Sequence, residues 1–524
     1  MRTALHTLLH ESARRSANRS ALTSRDVTVT YGELWTHAQD VAAGLQRVGV
    51  RRGERVAIFL DKRIETVAAI FGASAAGAVF VPINPLLRPA QVAYILEDCS
   101  VTVLVTSVQR LALLRDHLPT NTVLREVVVV GDQVPEPVTD AGELRVHAWT
   151  GAFAPGRTAD GAEPVDLDLA AILYTSGSTG RPKGVVLSHR NLIVGAESVS
   201  TYLANTHDDV ILAALPLSFD AGLSQITTAF SVGAHVVLHN YLLPADVVRL
   251  CAKHGVTGLT CVPPLWIQIA DQEWPEAATR SLRYFANTGG RLPRSTLDRL
   301  RNLFPDARPF LMYGLTEAFR STYLDPNEVD RRPDSIGKAI PNAEILVVRP
   351  DGTPCDVHEE GELVHRGALV ALGYWNDPER TAERFRRAPG PSPTWRAPEL
   401  AVWSGDAVVR DEEGFLYFVG RKDDMIKTSG YRVSPTEIEE VAYDTSMVRD
   451  AVAIGVDDER LGQRVVLVVA ASDDSRFDAD ELLAVMRREL PLFMVPSAVH
   501  RVDEIPRSPN GKFDRVLLKE ELAR

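Results

Sequence analysis

The segment from Tyr174 to Gly184, YTSGSTGRPKG, carries residue types that bind a polyphosphate. Its glycines permit positive φ and close backbone approach, so several N–H groups can converge on one anion. Four hydroxyl groups and one ammonium group add further hydrogen-bond donors. The residues expected to bind phosphate are Thr175, Ser176, Gly177, Ser178, Thr179, Gly180 and Lys183. A plain Ser/Gly surface loop is the alternative, and the density of donors in eleven residues favours the phosphate site.

This loop differs from the Walker motif of common nucleotide triphosphatases. That motif places its lysine directly after the second glycine, at the start of a helix. Here Arg181 and Pro182 precede Lys183, and Gly184 follows it. No GxGxxG pattern follows a predicted strand, so a nicotinamide or flavin site is not indicated. The sequence therefore predicts nucleotide chemistry of another class.

Composition argues against several other kinds of site and partner. The 524 residues carry 57 basic and 69 acidic side chains, for a net charge of −12, without a block of like charges. Duplex nucleic acid and anionic membranes both require a basic face, so neither is expected as a partner. The four cysteines are widely spaced, which indicates neither a zinc site nor a disulfide framework. This cysteine usage leads us to expect a reducing, cytoplasmic interior, and MRTALHTLLHESARR predicts an amphipathic helix rather than a signal peptide.

Alternating strand and helix patterns must position the phosphate loop. Apolar, β-branched runs predict strands at 56–60, 79–83, 102–106, 209–217, 234–240, 258–264 and 308–314. Loops are predicted at 151–164 and 386–399, short antiparallel strands at 401–420, and a helix starting near Ser434-Pro435. This alternation favours parallel or mixed sheets flanked by helices.

Seven motifs in order resemble the adenylate-forming, or AMP-binding, superfamily, which includes acyl-CoA synthetases, nonribosomal peptide adenylation domains and luciferases. Besides the phosphate loop they are TYGEL at 30–34, MYGLTE at 312–317, GELVHRG at 361–367, WSGD at 403–406, GRKDDMIKTSGYRVSPTEIE at 420–439 and PRSPNGKFDR at 506–515. The resemblance covers nearly the whole chain. It implies an AMP-forming ligase, in which a carboxylate attacks the α-phosphate of ATP, pyrophosphate leaves and a thiol then takes the acyl group.

The resemblance also implies the fold class, which is α/β. We expect a large N-terminal domain of layered mixed sheets with flanking helices and a small β subdomain, over residues 1–422, that binds ATP and substrate. A small, mobile α+β C-terminal domain is expected over residues 423–524, and it would carry the catalytic lysine.

Roles at the nucleotide follow from the same resemblance. Thr316 would contact the α-phosphate, Glu317 would hold Mg²⁺, and Asp406 would accept both ribose hydroxyls. The remaining nucleotide-binding residues would be Gly289, Gly290, Arg291, Tyr313, Gly314 and Arg421, with Tyr313 stacked on adenine. The family often has a small residue where Arg291 stands. Taken alone, Asp406 and Arg421 could also form a surface ion pair.

Two further positions would serve the moving C-terminal domain. Lys512 resembles the lysine that bridges the substrate carboxylate and the α-phosphate, although a lone terminal lysine is usually only solvated. Asp423 matches the position about which the small domain rotates after adenylation. The rotation would bring in Gly430, which would then line the thiol tunnel.

The substrate pocket is the least determined part of the sequence. By resemblance it would be lined by Phe219, Asp220, Ala221, Ser224, Ala286, Thr288, Met312 and Arg320. A buried carboxylate needs a partner, so Asp220 suggests a substrate ammonium group, but it could equally cap the helix that follows. An amino or imino acid, with L-proline first, is expected. Arg320, if it enters the pocket, would favour a second carboxylate on the substrate.

The thiol acceptor is expected to be separate from this chain, because no carrier attachment motif follows Lys512. A free-standing phosphopantetheinyl carrier protein and coenzyme A both remain open, and so does an acyl-CoA ligase for a small organic acid. An oxidative or light-emitting member of the superfamily is a weaker alternative. A non-catalytic nucleotide-binding protein is the alternative of another class.

Overall fold

The structure is a computed structural model of the chain. It describes residues 2–118, 123–131, 144–156, 164–175, 182–240, 243–290, 292, 294–390, 394–395, 397–421, 425–433, 435–445, 447–472, 477–506, 513 and 515–522. Within these residues, three sheets and the helices packed on them form the fold.

The largest sheet has fourteen strands and is mixed. In order of pairing they are Ala343–Val348, Glu360–Gly367, Leu400–Arg410, Leu416–Arg421, Ser335–Ala339, Thr322–Leu324, Arg308–Tyr313, Tyr284–Asn287, Gly258–Cys261, Val210–Ala213, His235–Leu238, Ser20–Ser24 and Val27–Thr30, with Phe385–Arg387 beside Leu400–Arg410. The strands from Arg308–Tyr313 to Ser20–Ser24 pair in parallel. Those from Ala343–Val348 to Thr322–Leu324 pair antiparallel and form the β-rich part of the fold.

The second sheet has eight strands and carries the phosphate loop. In order of pairing they are Gly373–Tyr374, Lys183–Ser188, Leu169–Thr175, Val79–Pro82, Arg55–Phe59, Val101–Ser107, Glu126–Val130 and Arg145–Ala148. Leu169–Thr175 and Lys183–Ser188 pair antiparallel, with Thr175 opposite Lys183. The two ends of the predicted phosphate loop are therefore fixed by one hairpin.

The third sheet belongs to the C-terminal part of the chain. Its strands are Tyr431–Val433, Ile426–Thr428, Gly462–Ala471 and Val448–Asp458, with Ala498–Arg501 pairing to Gly462–Ala471. Separate hydrophobic clusters lie on this sheet, which is typical of a domain with its own core.

Helices cover the sheets and join the two larger ones. The α-helices are His6–Ser16, Tyr31–Arg47, Ile64–Ala75, Pro89–Asp98, Val108–Leu114, Trp149–Ala152, His189–Tyr202, Asp220–Val232, Pro244–His254, Pro263–Ala270, Glu276–Ser281, Arg294–Leu303, Pro378–Arg384, Pro435–Asp444, Ala479–Glu489 and Arg515–Leu522. Short 3₁₀ turns span Arg115–His117, Thr316–Ala318, Pro326–Glu328 and Leu492–Met494. One hydrophobic core contains side chains of both large sheets and of helices between them, including Phe71 and Phe230 at a ring separation of 5.3 Å.

The predicted α/β class with layered mixed sheets and a small C-terminal α+β unit is confirmed, and some local predictions need correction. The predicted loop at 386–399 begins within the strand Phe385–Arg387, and the short strand expected after 401 is the eleven-residue strand Leu400–Arg410. The loop at 151–164 begins in the helix Trp149–Ala152. The domain boundary at 422–423 falls outside the described residues and stays a prediction.

None of the described helices combines the length and the apolar character that a bilayer span requires. In the same residues, His, Cys, Asp and Glu side chains form no group of three or more suited to hold a metal ion. All four cysteines are buried and unpaired.

Candidate active site

A cavity of about 1150 Å³ opens at the carboxyl ends of two neighbouring parallel strands, Tyr284–Asn287 and Arg308–Tyr313. Thr288 and Gly289 follow the first strand, Gly314 follows the second, and all three line the cavity. Open α/β sheets bind ligands at this edge, because the loops that leave the strands surround a crevice there.

Lys183, Glu317 and Tyr374 form one hydrogen-bonded cluster next to this cavity. Lys183 Nζ donates to Glu317 Oε1 at 3.0 Å and to the Tyr374 hydroxyl at 2.8 Å, and that hydroxyl donates to Glu317 Oε1 at 2.6 Å. Glu317 is 1% exposed. The cluster therefore joins the predicted phosphate loop to the MYGLTE motif, whose Thr316 lines the cavity.

Positive charge keeps the buried Glu317 ionised. Burial alone raises the pKa of a carboxyl group, but Lys183, Arg384 and Arg432 together hold the pKa of Glu317 well below its usual value. Burial also lowers the pKa of Lys183, and the charge of Glu317 opposes that effect. We take the cluster to be a lysine–carboxylate ion pair, because each charge compensates the burial of the other.

Glu317 fits a role at Mg²⁺. Both hydrogen bonds that its side chain accepts from the described residues go to Oε1, which leaves Oε2 for a cation. Mg²⁺ is usually bound by one or two carboxylates together with substrate phosphates, so a single protein carboxylate at a nucleotide site suits it.

Tyr313 and Asp406 meet at the cavity wall. The Tyr313 hydroxyl donates to Asp406 Oδ2, Asp406 is 3% exposed, and both residues line the cavity. Arg421 lies opposite Asp406 in the strand register, and its side chain is outside the described residues. The residue predicted to stack on adenine and the residue predicted to bind the ribose are thus in direct contact.

Only part of the predicted phosphate loop is described. Thr175 lines the cavity, and its Oγ1 is buried without a hydrogen-bond partner among the described residues. An orphaned hydroxyl at this position fits a ligand oxygen, since a buried polar group without a partner costs free energy. Ser176, Gly177, Ser178, Thr179 and Gly180 lie outside the described residues, as do Arg291, Asp423 and Lys512.

Gly430 reaches the predicted adenine loop from the C-terminal domain. Its carbonyl oxygen lies 4.0 Å from the position that a Cβ on Gly289 would occupy, and Gly289 and Gly290 both line the cavity. With φ at +81°, a Cβ on Gly430 would lie 2.7 Å from Val262 Cγ2. The close packing therefore requires glycine at position 430.

Other contacts hold the C-terminal domain in this orientation. Arg88 Nε donates to the carbonyl of Leu490 at 3.1 Å, just after the helix Ala479–Glu489. Phe219 packs against Tyr431 with ring centroids 5.1 Å apart. The segment around Gly430 is consequently seated against the substrate side of the cavity.

Asp220 begins a helix but is not its N-cap. The helix spans Asp220–Val232, and the N-cap position is occupied by Phe219. Asp220 Oδ1 accepts a hydrogen bond from Thr316 Oγ1 at 3.3 Å. Burial raises the pKa of Asp220 above its usual value, although Arg320 opposes the shift. The capping alternative is thus disfavoured, and the carboxylate lies between the substrate cavity and the MYGLTE motif.

The structure brings most of the predicted substrate residues to the cavity wall, which includes Phe219, Asp220, Ala221, Thr288, Met312 and Arg320. Ser224 and Ala286 are not among the residues that line this cavity. Ser224 is buried within its helix, where its Oγ lies 3.4 Å from Thr228 Oγ1, and Ala286 is fully buried in a central strand. Their roles in the substrate pocket stay predictions.

Sequence reasoning missed Tyr374 and Lys62. The contact between Tyr374 and Lys183 joins positions 191 residues apart, which no local pattern indicates. Lys62 is buried at the cavity, and its ammonium donates to the carbonyls of Ala213, Ala214 and Leu215 at 2.7–3.1 Å. A lysine directly after the apolar run VAIFLD was the available signal.

Comparison with known protein families decides the assignment. The family profile described as "AMP-binding enzyme" matches residues 9–375, and that of the "AMP-binding enzyme C-terminal domain" matches residues 437–512. The chain belongs to the AMP-binding enzyme family. These two matches confirm the family resemblance of the sequence motifs. Enzymes of this family use ATP and include acyl-CoA ligases and synthetases.

Curated relatives of this AMP-binding enzyme include two types. It is 31% identical over 517 residues to a linear gramicidin synthase of Brevibacillus parabrevis, with 98% of this chain and 6% of the relative covered. It is 32% identical over 521 residues to feruloyl-CoA synthase of an Amycolatopsis species, with 98% and 97% covered. This chain therefore spans only a small part of the first relative and nearly all of the second.

Among solved structures, o-succinylbenzoate CoA synthetase (MenE) of Bacillus subtilis is similar in two complexes. A double mutant with its product analogue OSB-NCoA matches with a TM-score of 0.84 at 26% identity, covering 98% of both chains. The complex with the acyl-adenylate OSB-AMP matches with a TM-score of 0.68, covering 98% and 97%. This AMP-binding enzyme is therefore closer in overall arrangement to the product-analogue complex.

Proposed function

We propose that this AMP-binding enzyme is a carboxylate–thiol ligase. It would join an acid to the α-phosphate of ATP, release pyrophosphate and transfer the acyl group to a phosphopantetheine thiol. The observation that carries the proposal is the ion pair between Lys183 and Glu317, because it unites the phosphate loop with the MYGLTE motif. The cavity beside it is lined by Tyr313 and Asp406, the residues proposed for the nucleoside.

Adenylation needs positioning and charge neutralisation rather than a protein nucleophile. An oxygen of the acid bonds to the α-phosphorus as the bond between that phosphorus and the pyrophosphate oxygen breaks. Lys183 and Lys512 would neutralise the negative charge of the phosphates, and the Thr316 hydroxyl would donate to the α-phosphate. Mg²⁺ held by Glu317 would supply further neutralisation of phosphate charge.

Thioester formation would use the orientation in which Gly430 lies at the cavity. The thiol sulfur bonds to the acyl carbon, and AMP leaves with its phosphate oxygen. The packing of Gly430 against Val262 supports a narrow approach for a pantetheine arm along this edge. Asp423 is proposed as the hinge, since a few residues that absorb large φ/ψ changes are enough for such a rotation.

The proposal extends to the identity of the substrate acid and of the thiol acceptor. A raised pKa at Asp220 supports a substrate ammonium group, which would offset the burial of the carboxylate, so an amino or imino acid such as L-proline remains a candidate. The buried Arg320 at the wall of the same cavity supports the second candidate, a small organic acid. The resemblance to feruloyl-CoA synthase favours coenzyme A as acceptor, and that to gramicidin synthase favours a carrier protein.

Acid-dependent exchange of labelled pyrophosphate into ATP tests this proposal. The panel should contain proline, other amino acids, and aliphatic and aryl acids, followed by product mass with coenzyme A or a holo carrier protein. We expect exchange with one class of acid and a thioester with one acceptor. Folded protein that binds ATP but exchanges with no acid would support the non-catalytic nucleotide-binding alternative.

A further inference from the structure

We propose that Arg320 binds an anionic group on the tail of the substrate acid, so that the enzyme activates acids carrying a second carboxylate. This inference rests on the proposed ligase function and names its substrate class. Arg320 is 3% exposed, and its side chain lines the same cavity as Asp220 and Thr316. A charged side chain at this depth needs a compensating partner.

The protein satisfies this guanidinium only in part. Arg320 Nη1 donates to Thr288 Oγ1, whereas Nε is buried without a hydrogen-bond partner among the described residues. A buried charge with an unpaired donor is costly, and Arg320 Nε has no partner among the described residues. The donors left over on a planar guanidinium suit a carboxylate, which can accept two parallel hydrogen bonds.

Asp220 does not supply the missing partner. Burial raises the pKa of its carboxyl group, and the charge of Arg320 opposes that rise. The hydrogen bond that Asp220 accepts comes instead from Thr316, towards the nucleotide side of the cavity. Arg320 Nε therefore remains as a donor for a ligand.

The backbone that carries Arg320 is strained. Phe319 has φ +57° and ψ −62°, and the N–H of Arg320 donates to the carbonyl of Ala318 at 2.6 Å, which defines the rare type of γ-turn. Gly314 permits this turn to approach, since a Cβ there would lie 2.9 Å from Arg320 Cα. Such strain in a non-glycine residue clusters at ligand sites, where the surrounding structure holds it in place.

A second donor faces the same cavity. Ser218 lines it, is 5% exposed, and its Oγ is buried without a partner among the described residues. Proline has no acceptor group on its side chain for Ser218 or Arg320. These two unpaired donors on the cavity wall therefore favour an acid with a charged end over proline, whether or not the acid also carries an amino group.

Matched substrate pairs test the inference. Pyrophosphate exchange should be measured with straight-chain dicarboxylic acids from succinate to adipate, with aspartate and glutamate, and with the uncharged-tail acids of equal length. In the wild type we expect KM for a charged-tail acid to be about 10- to 100-fold lower, the effect of one or two hydrogen bonds to a charged group. Arg320→Met should remove this preference by raising KM for the charged-tail acids selectively, and Arg320→Lys should restore part of it.

A binding measurement separates this inference from the ligase function. The same dicarboxylic acids should raise the unfolding temperature of the wild type but not that of Arg320→Met, with ATP binding as the folding control. Exchange that shows no dependence on the tail charge, or an equal loss with both acid types in Arg320→Met, would overturn the inference and leave the ligase. If the dicarboxylic acids raise the unfolding temperature of the wild type but not of Arg320→Met, and no acid supports pyrophosphate exchange, the ligase function would be overturned instead.

Discussion

Lys183 Nζ lies 3.0 Å from Glu317 Oε1, although the two residues are 134 positions apart in the chain. The contact ties the end of the phosphate-loop hairpin in one sheet to the turn after a strand of another sheet. Substrate phosphates bound at the loop would therefore lie near the carboxylate proposed for Mg²⁺.

Glu317→Gln should reduce both adenylation and stability. The variant removes the charge proposed for Mg²⁺ and leaves Lys183 without its anion, so we expect exchange to fall at least ~100-fold. Breaking a buried ion pair also predicts a loss of about 3 kcal/mol in the free energy of unfolding. Urea unfolding and exchange at several Mg²⁺ concentrations measure the two effects. Glu360→Gln, at an exposed glutamate, is the control, and a Glu317 variant that behaves like it would refute both roles.

Lys512→Ala should abolish most of the first half-reaction. We expect a loss of at least ~100-fold in exchange, equivalent to roughly 2.7 kcal/mol of transition-state stabilisation. Thioester formation from a supplied acyl-adenylate should be far less affected, because this lysine is expected to leave the site when the C-terminal domain rotates. Lys253→Ala, an exposed lysine paired with Asp26, serves as control. Near-normal exchange in the Lys512 variant would show that another group performs the bridging role.

Gly430→Ala should impair the second half-reaction selectively. The new Cβ would lie 2.7 Å from Val262 Cγ2 at a φ of +81°. The left-handed region costs a non-glycine residue of order 1–2 kcal/mol, so thioester formation should fall about tenfold or more. Single-turnover transfer from a preformed adenylate measures this step, and exchange should remain within about threefold.

Gly414→Ala is the matched control for Gly430. Its φ is +85°, but a Cβ there has no neighbour within 4 Å among the described residues, so it separates backbone strain from the clash with Val262. Equal effects of the two variants on thioester formation would contradict a specific role for Gly430 at the thiol approach.

His365→Gln should weaken the dependence of stability on pH. Burial lowers the pKa of His365 from 6.5 to about 3. As pH falls from 6.5 towards 3, the unfolded chain therefore binds a proton here that the folded chain does not, and the free energy of unfolding decreases. Above pH 6.5, His365 is neutral in both the folded and the unfolded chain, and this loss of stability is absent. In the variant, the slope of the free energy of unfolding against pH should be smaller by up to about 1.4 kcal/mol per pH unit.

Urea unfolding between pH 5 and 8 checks the effect of His365. His207→Gln is the control, since the side chain of His207 is 59% exposed. The same slope in wild type and the His365 variant would mean that other groups account for the loss of stability in acid.

The sequence predicted the helices and strands better than it predicted the long-range contacts between side chains. Apolar runs located the central strands such as Arg308–Tyr313, because buried parallel strands need continuous apolar residues. The family resemblance of the motifs pointed to Glu317 and Asp406, and the structure places Asp406 on the cavity wall and Glu317 beside it. The fold class was therefore accessible from periodicity and family resemblance, and the nucleotide roles of these residues stay predictions.

Long-range placement was not accessible in the same way. Tyr374 contacts Glu317 only because a short strand, Gly373–Tyr374, pairs at the edge of the second sheet. Asp220 was ambiguous because a shift of one residue separates an N-cap from the first helical position. The direction of Arg320 depends on a strained turn at Phe319, which no residue propensity indicates.

The fate of a labelled carboxylate oxygen tests the central claim most directly. An acid that supports exchange, prepared with ¹⁸O in its carboxyl group, should be incubated with the enzyme, ATP, Mg²⁺ and the thiol acceptor, and the products analysed by mass. If the carboxylate attacks the α-phosphate, AMP carries one ¹⁸O atom and pyrophosphate carries none. Label in pyrophosphate or inorganic phosphate, or ADP formed in place of AMP, would contradict the account.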